Sequence, residues 1–302
     1  MAARFPDPTW AVEGIIAEGL TLLVGAPKVG KSWLGLGVSV SVAAGGGALG
    51  SIPVDQGPAL VLALEDTARR LQSRLRLILN GAPAPDGLTI SIECPRIGAG
   101  AEERISHWLD RNPDARLVVV DVLAKVRGVG LMSESAYSAD YHTVGALKEI
   151  SDRYGVPFLV LHHPRKQTAE DWLDTVSGTT GLAGAADSIA LLKRTRDNAD
   201  GILSVTGRDI DETEYALRFH PDIGSWQLTD IAPETLRRTD NENAIIAWLT
   251  DHEGDGPAQV AKGAALDYEA TKKAMARMKK RGQLDSDGHG RYFLPITTTG
   301  AT

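Results

Sequence analysis

Cysteine is nearly missing from this chain of 302 residues, and positive charge is in deficit. The single cysteine, Cys94, excludes an internal disulfide and a cysteine-based zinc site, and it indicates a reducing compartment. The 39 acidic residues outnumber the 32 lysines and arginines, which argues against a protein that coats nucleic acid or binds membranes through a polybasic surface. The residues before Trp10 lack the apolar core of a signal peptide, and we therefore expect a cytoplasmic protein.

One uncharged stretch, Trp33–Val54, needs an interpretation because a segment of that length can span a bilayer. It holds many glycine and serine residues and few leucines or isoleucines, and it directly follows a phosphate-loop pattern. We interpret it as a buried helix and loop of an α/β core, and we expect no membrane partner.

Short aliphatic runs alternate with helical patterns through the first three quarters of the chain, which is typical of a parallel sheet built from βαβ units. These runs are Leu20–Val24, Ala59–Leu64, Leu88–Ile92, Leu117–Asp121 and Pro157–His162. Later candidate strands leave no room for crossover helices and predict an antiparallel meander that extends the sheet. They are Ser188–Lys193, Ile202–Gly207, Tyr215–Phe219 and Ser225–Thr229. The predicted fold class is α/β with a mostly parallel central sheet.

In the last quarter of the chain, helical patterns and a candidate hairpin replace the alternation of strands and helices. We predict a first domain over residues 1–232, a linker over 233–240, a second domain over 241–296 and a disordered tail over 297–302. The second domain shows helical patterns over Asn241–His252, Pro257–Ala265 and Asp267–Gly282, followed by a candidate hairpin over Leu284–Leu294. Helices followed by a β-wing are the layout of a winged helix-turn-helix domain.

The strongest motif is a full match to the phosphate-loop pattern G-x-x-x-x-G-K-[ST], placed after an aliphatic strand and before a helix. Its backbone N–H groups would surround the phosphates of ATP, Lys31 would neutralise the β- and γ-phosphates, and the Ser32 hydroxyl would bind Mg²⁺. We assign nucleotide binding to this motif and the residue after it: Gly25, Ala26, Pro27, Lys28, Val29, Gly30, Lys31, Ser32 and Trp33.

Carboxylates end two other aliphatic runs. Asp121 fits the Walker B position, where an acid holds the metal ion together with Ser32. Glu65 and Asp66 follow another run, and alternation of side chains allows only one of them to face the nucleotide. We predict that Glu65 orients the attacking water. Asp66 either caps the following helix, which we favour, or supports the site from behind the residues that touch the nucleotide.

Two further catalytic groups are predicted from their positions. His162 and His163 end a strand with no further metal-ligand pattern, so we place one of them at the γ-phosphate as a sensor and leave open which. The other would pack in the core or contact DNA. Arg208 follows a late strand and is a candidate arginine finger supplied by a neighbouring subunit. Lys193 and Arg194 compete for that role, and a surface salt bridge is the alternative for each.

Basic residues mark candidate DNA contacts. Lys125 and Arg127 follow the Walker B strand, and Arg165 and Lys166 open a long polar loop, so that both segments leave the same edge of the sheet. Two solvated surface loops are an equally good interpretation. The third C-terminal helix places further cations on one face, where they would meet DNA phosphates or remain solvated. They are Lys273, Arg277 and Lys280. Winged helices also dock on proteins, so DNA and protein both remain open as the partner of this domain.

The order of these motifs resembles the RecA-fold ATPases of the plasmid RepA-type hexameric replicative helicase group, over about residues 10–230. The resemblance implies a homo-oligomer, a ring of six subunits with ATP between neighbours and single-stranded DNA in a central channel. It implies roles for Glu65 as catalytic glutamate, Asp121 as metal acid, His163 (or His162) as sensor and Arg208 as finger. The smallest helicases of that group lack a C-terminal winged helix, so the predicted second domain is a departure from their pattern. It would offer a further contact for duplex DNA.

We therefore predict a Mg²⁺-dependent, oligomeric RecA-type ATPase acting on DNA, as a replicative-type helicase of a phage, plasmid or integrated element. The alternatives are a DNA-bound regulator that uses ATP for assembly and a recombination or repair ATPase that remodels DNA without unwinding. A small-molecule kinase is a weaker alternative, because neither a substrate lid nor an acceptor pocket is evident.

Overall fold

The computed structural model describes residues 8–128, 136–163, 180–194, 199–236 and 240–295. The chain divides into two compact units, and the boundary lies between Ile231 and Ala232. The predicted disordered tail over 297–302 lies outside the described residues, as do Arg165 and Lys166.

The larger unit alternates strands and helices along the chain. Its described strands are β1 (Trp10–Val12), β2 (Ile16–Ala17), β3 (Leu20–Val24), β4 (Gly46–Ala48), β5 (Ile52–Val54), β6 (Ala59–Ala63), β7 (Leu88–Ser91), β8 (Leu117–Asp121), β9 (Phe158–His162), β10 (Ser188–Arg194), β11 (Asp200–Gly207), β12 (Thr213–His220) and β13 (Ser225–Leu228). Its described helices are α1 (Lys31–Ala44), α2 (Ala68–Leu79), α3 (Ala101–Arg111), α4 (Leu123–Val126), α5 (Ala136–Tyr154) and α6 (Thr180–Ala185).

The central sheet is mostly parallel, as the sequence predicts. Within the described residues its strand order is β13-β12-β11-β10-β3-β9-β8-β6-β7. The strands from β10 to β7 in this order pair in parallel, and β11, β12 and β13 add the antiparallel extension. The predicted antiparallel meander is confirmed for β10 to β13, and it joins the sheet through β10, which pairs in parallel with β3.

Two hydrophobic layers cover the two faces of the sheet. Helix α1 packs on one face, together with alternate residues such as Val61, Val119 and Leu161. Helices α3, α4 and α5 cover the other face, where Val120 and Val160 point. Strands buried on both faces have near-continuous aliphatic sequences, and each buried Leu or Val contributes about 1.5–3 kcal/mol.

The uncharged stretch Trp33–Val54 forms most of helix α1 and the small β4–β5 hairpin. The helix needs no charged face because it is sandwiched between the sheet and other elements of the same layer. In the part of the chain that the structure describes, no helix is both long and apolar enough to cross a membrane.

The smaller unit contains the elements that the sequence predicts, with shifted ends. Its described elements are α7 (Pro233–Leu236), α8 (Asp240–Asp251), α9 (Pro257–Gly263), α10 (Tyr268–Lys280) and the antiparallel hairpin of β14 (Asp285–Ser286) and β15 (Tyr292–Phe293). Helix α7 lies in the segment predicted as linker. Ile245, Val260 and Met275 bring α8, α9 and α10 into one core. Asp267 caps α10 by accepting a hydrogen bond from the Ala270 N–H at 2.8 Å.

Candidate nucleotide-binding site

Four neighbouring parallel strands, β3, β9, β8 and β6, end at the same edge of the sheet. Because side chains alternate between faces, the residues that continue the α1 face beyond these strands are Glu65, Asp121 and His163. The phosphate loop leaves β3 at Gly25 and enters α1 at Lys31 on that face. Topology alone therefore brings the predicted catalytic groups to one corner of the sheet.

The phosphate loop closes on a left-handed residue at the start of α1. Gly30 has φ +109°, and a Cβ atom there would lie 2.9 Å from the Trp226 ring. The Trp226 indole N–H also donates to the Gly30 carbonyl at 3.1 Å. This contact fixes the loop from the far end of the sheet, and sequence reasoning missed it because the two residues are 196 positions apart.

Lys31 is a buried cation held in a fixed position. It is 4% exposed, and its ammonium donates to the carbonyls of Gly25 at 2.6 Å and Ala26 at 3.1 Å. The ammonium also lies 2.9 Å from Nδ1 of His163. Burial lowers the pKa of Lys31 to about 8, and the nearby carboxylates of Asp121 and Glu65 work against that shift. The ammonium is therefore poorly solvated and ready to exchange carbonyl partners for an anion.

Asp121 and Ser32 form an oxygen pair beside Lys31. The Ser32 hydroxyl donates a hydrogen bond to the Asp121 carboxylate, and burial raises the pKa of that carboxyl group despite this bond. A carboxylate and a hydroxyl are hard oxygen ligands of the kind that Mg²⁺ prefers, with the remaining positions left to water and phosphate. Among the described residues, no group of three or more His, Cys, Asp and Glu side chains could hold a metal ion. A metal ion at Ser32 and Asp121 would therefore need ligands from the nucleotide phosphates and from water. The pair fits Mg²⁺.

Glu65 and His163 complete the corner. Nε2 of His163 lies 3.8 Å from Oε2 of Glu65, and about half of the Glu65 side chain is exposed. The carboxylate is thus open to water while it stays beside the group that contacts Lys31. His162 points to the other face of the sheet, as alternation predicts, and it is buried there.

The structure corrects the prediction for Asp66. Thr67, not Asp66, caps α2 by accepting a hydrogen bond from the Arg70 N–H. The Asp66 carboxylate is held instead by Arg70 at 2.5 Å and by Arg74. The Arg74 guanidinium also lies 5.1 Å from the centre of the Trp33 ring. Arg70 and Arg74 follow Asp66 by four and eight residues and so lie on one face of the helix. This spacing could have predicted both ion pairs from the sequence.

Arg208 lies at the opposite edge of the sheet from Lys31. It follows Gly207, which aligns with Ser188, and Ser188 aligns with Thr21 near the start of β3. Nη1 of Arg208 is 3.6 Å from Oδ1 of Asp187. The structure therefore does not bring Arg208 to the phosphate loop of its own chain, and a finger role requires a second subunit.

The competing cations lie at the phosphate-loop edge. Lys193 and Arg194 end β10, whose Leu191 aligns with Val24 just before the loop. The Arg194 guanidinium lies 5.1 Å from the ring centre of Phe219 and 5.4 Å from that of Trp226. These contacts do not decide which of Arg208, Lys193 and Arg194 would serve as the arginine finger.

The candidate DNA contacts fall in different settings. Lys125 is exposed on α4, so the predicted loop after Asp121 begins with a helical turn. Arg127 is partly buried against Asp140. The α10 cations are all exposed, on the side away from the buried Ala274 and Met278; they are Lys273, Arg277 and Lys280.

The fold and the site together define a P-loop protein with a large, mostly parallel α/β sheet, consistent with the RecA-like fold predicted from sequence. Residues 1–169, more than half of the chain, match the profile described as AAA domain. The chain belongs to this AAA domain family. No curated protein matches it in sequence.

Among solved structures, the chain is similar to one described as "The Structure Of A DnaB-Like Replicative Helicase And Its Interactions With Primase". The TM-score is 0.57 at 14% identity, and the match covers 70% of this chain and 57% of that one. The likeness shows a shared fold, and this chain spans little more than half the length of that helicase chain.

Proposed function

We propose that this chain is a Mg²⁺-dependent, oligomeric RecA-type ATPase that acts on DNA, as a replicative-type helicase of the RepA group. One observation carries the ATPase proposal: Lys31, Glu65, Asp121 and His163 converge from adjacent strand ends onto the start of α1. The AAA domain match and the fold shared with a DnaB-like replicative helicase support the same class.

Hydrolysis would follow from the positions of these groups. Lys31 exchanges its carbonyl partners for the β- and γ-phosphate oxygens, and His163 reports whether the γ-phosphate is present. Glu65 orients water for in-line attack on the γ-phosphorus and accepts its proton, while the bond from that phosphorus to the β–γ bridging oxygen breaks. When bound at Ser32 and Asp121, Mg²⁺ would neutralise charge that builds up on the phosphates.

Assembly and DNA contact are further parts of this proposal. Arg208 lies at the sheet edge opposite its own phosphate loop, so a ring of subunits, six in the RepA group, would bring it to the neighbour's ATP. Lys125, Arg127, Arg165 and Lys166 would line the channel for single-stranded DNA. The exposed cations of α10 favour the predicted winged-helix role of the smaller unit, with duplex phosphates as its ligand.

The decisive experiment measures ATP turnover with and without single-stranded DNA, alongside native mass with ATP and Mg²⁺. We expect a multiple of the subunit mass and a turnover that the single strand increases. Turnover by a monomer that DNA does not change would contradict the proposal.

The α10 surface also favours a second candidate, a DNA-bound regulator that uses ATP only for assembly. That protein would bind a duplex tightly and turn over ATP slowly, with no response to single strands. Strand separation on a forked duplex distinguishes the helicase both from this regulator and from a repair ATPase that remodels DNA without unwinding.

A further inference from the structure

The Glu65 side chain is held loosely for a group that would place a water molecule. About half of it is exposed, and its contact with His163 spans 3.8 Å. No hydrogen bond from a described residue reaches its carboxylate. A group that takes part in chemistry has to be held within about 0.5 Å of its working position by its surroundings. The position of Glu65 therefore depends on its backbone and on what fixes the next residue, Asp66.

The Asp66 carboxylate is largely buried and is held by two cations of α2. The side chain is 9% exposed, and it pairs with Arg70 at 2.5 Å and with Arg74. Nη2 of Arg70 also donates to the backbone carbonyl of Glu65 at 3.3 Å. A carboxylate this dry is costly to leave without partners, so the ion pairs fix the segment Glu65–Asp66 against α2.

The two arginines differ in what else they contact. The Arg70 side chain is 53% exposed, whereas that of Arg74 is 22% exposed. Cζ of Arg74 lies 5.1 Å from the centre of the Trp33 ring, which is within the range of a cation–π contact. Trp33 directly follows Ser32 in α1. Arg74 thus joins the segment that carries Glu65 to the helix that carries Ser32.

The space around this ion pair is closed. A cavity of about 10 Å³ lies there, and its polar lining residues are Ser32, Asp66, Arg74 and Asp121. A cavity of that volume holds at most one water molecule. The interaction between Asp66 and Arg74 is therefore poorly screened by solvent, and it acts directly beside the residues that we assign to Mg²⁺.

We propose that Arg74 is a positioning residue that holds Glu65 in place relative to the phosphate loop. The proposal rests on the proposed function and adds to it a residue on which hydrolysis depends. Because the guanidinium pairs with Asp66 and stacks on Trp33, it sets the distance between the carboxylate that orients water and the Ser32 end of α1. Arg74 acts through these two neighbours, so its loss should affect hydrolysis more than nucleotide binding.

The test measures equilibrium binding of ATP and single-turnover hydrolysis with Mg²⁺ in the full chain carrying Arg74→Ala. The Kd for ATP should stay the same because the phosphate loop keeps all its groups. The single-turnover rate should fall about 10²-fold, the loss that a misplacement of about 1 Å can cause. Arg74→Lys keeps a cation for Asp66 but lacks the planar group that stacks on Trp33, so it should recover only part of the rate.

Two other arginines of α2 are the matched controls. Arg76 is exposed, and Arg76→Ala should leave the rate unchanged. Arg70→Ala removes the second partner of Asp66 but leaves Arg74 on Trp33, so its rate should fall less than that of Arg74→Ala. Equal losses in these two variants would overturn the link through Trp33, and so would a wild-type rate in Arg74→Ala. A wild-type chain that does not hydrolyse ATP would overturn both proposals, with the proposed function as the part that fails.

Arg74→Gln covers the case in which Arg74→Ala does not fold, because an amide fills much of the same space and can still donate to Asp66. Its single-turnover rate at saturating ATP should also fall. Trp33→Leu breaks the same link from the other side, so the double variant should lose little more than the worse of the single variants. Losses that multiply in the double variant would show independent effects and overturn the positioning role.

Discussion

The two units of this chain use positive charge in opposite ways. In the larger unit, Lys31 is 4% exposed and fixed by two carbonyls and an imidazole. In the smaller unit, Lys273, Arg277 and Lys280 are exposed along one side of α10. A buried, oriented charge acts strongly on a reacting group, whereas an exposed charge is screened by salt and acts on association. Burial of the cation therefore distinguishes the surface suited to chemistry from the surface suited to binding.

The sharpest test of this contrast is Lys31→Ala. Removing a preorganised cation from a dry site should lower ATP turnover by at least about 10²–10³-fold. Arg116→Ala is the control, because Arg116 pairs with Asp55 just before β8, at the opposite end of that strand from Asp121. That variant should lose free energy of unfolding and keep its turnover. Similar losses of turnover in both variants would contradict the special position of Lys31.

Glu65→Gln tests the proposed role of Glu65 as the base of hydrolysis. The amide keeps the shape of the side chain and cannot accept the proton, so nucleotide affinity should persist while turnover falls by about 10²–10⁴-fold. Equilibrium binding and single-turnover rates separate the two effects. Glu103→Gln, an exposed change at the start of α3, should leave both unchanged. Turnover that survives in Glu65→Gln would remove Glu65 from the role of base.

The positions of the strand-end residues were predictable from the sequence because they depend on local order. The aliphatic runs before Glu65, Asp121 and His162 are short, and their ends fall at one edge of any parallel sheet. Alternation then separates His162 from His163 without further information.

Contacts between distant segments were not predictable in the same way. The bond from Trp226 to Gly30 depends on where β13 lies in the sheet, and the Arg127–Asp140 pair depends on how α4 meets α5. Asp66 shows a local limit, since an acid before a helix suits a cap and two arginines equally well. Register and packing make these choices, and a single sequence does not state them.

Acid should destabilise the larger unit through His162. Its folded pKa of about 4 lies below the ordinary 6.5, so the unfolded chain binds more protons between those values. The free energy of unfolding should therefore fall as pH drops through this window, by up to about 3 kcal/mol. Urea unfolding at pH 7 and pH 5 measures the slope, and His162→Leu should flatten it. An unchanged slope in that variant would assign the acid sensitivity to other groups.

Two glycine substitutions compare packing in the two units. In α9 a Cβ atom on Gly263 would lie 2.2 Å from the Trp248 ring, so Gly263→Ala should destabilise the smaller unit by about 1–3 kcal/mol. In α1 no atom lies within 4 Å of a Cβ on Gly37, so Gly37→Ala should stabilise the larger unit by about 0.5–1 kcal/mol. Thermal unfolding of each variant measures whether its stability rises or falls. Stabilisation by both variants would mean that the Trp248 side chain moves away from the added methyl group at little cost in free energy.

The smallest effects belong to the exposed cations of α10. Each of Lys273→Ala, Arg277→Ala and Lys280→Ala should weaken duplex binding a few-fold and lower the slope of log K against log salt by about 0.9, since each removes one phosphate contact. Turnover without DNA should not change. Glu269→Gln on the same helix is the matched control, because it removes an exposed charge of the opposite sign and should not reduce the slope. Slopes that stay constant in all three lysine and arginine variants would show that this face meets something other than nucleic-acid phosphate.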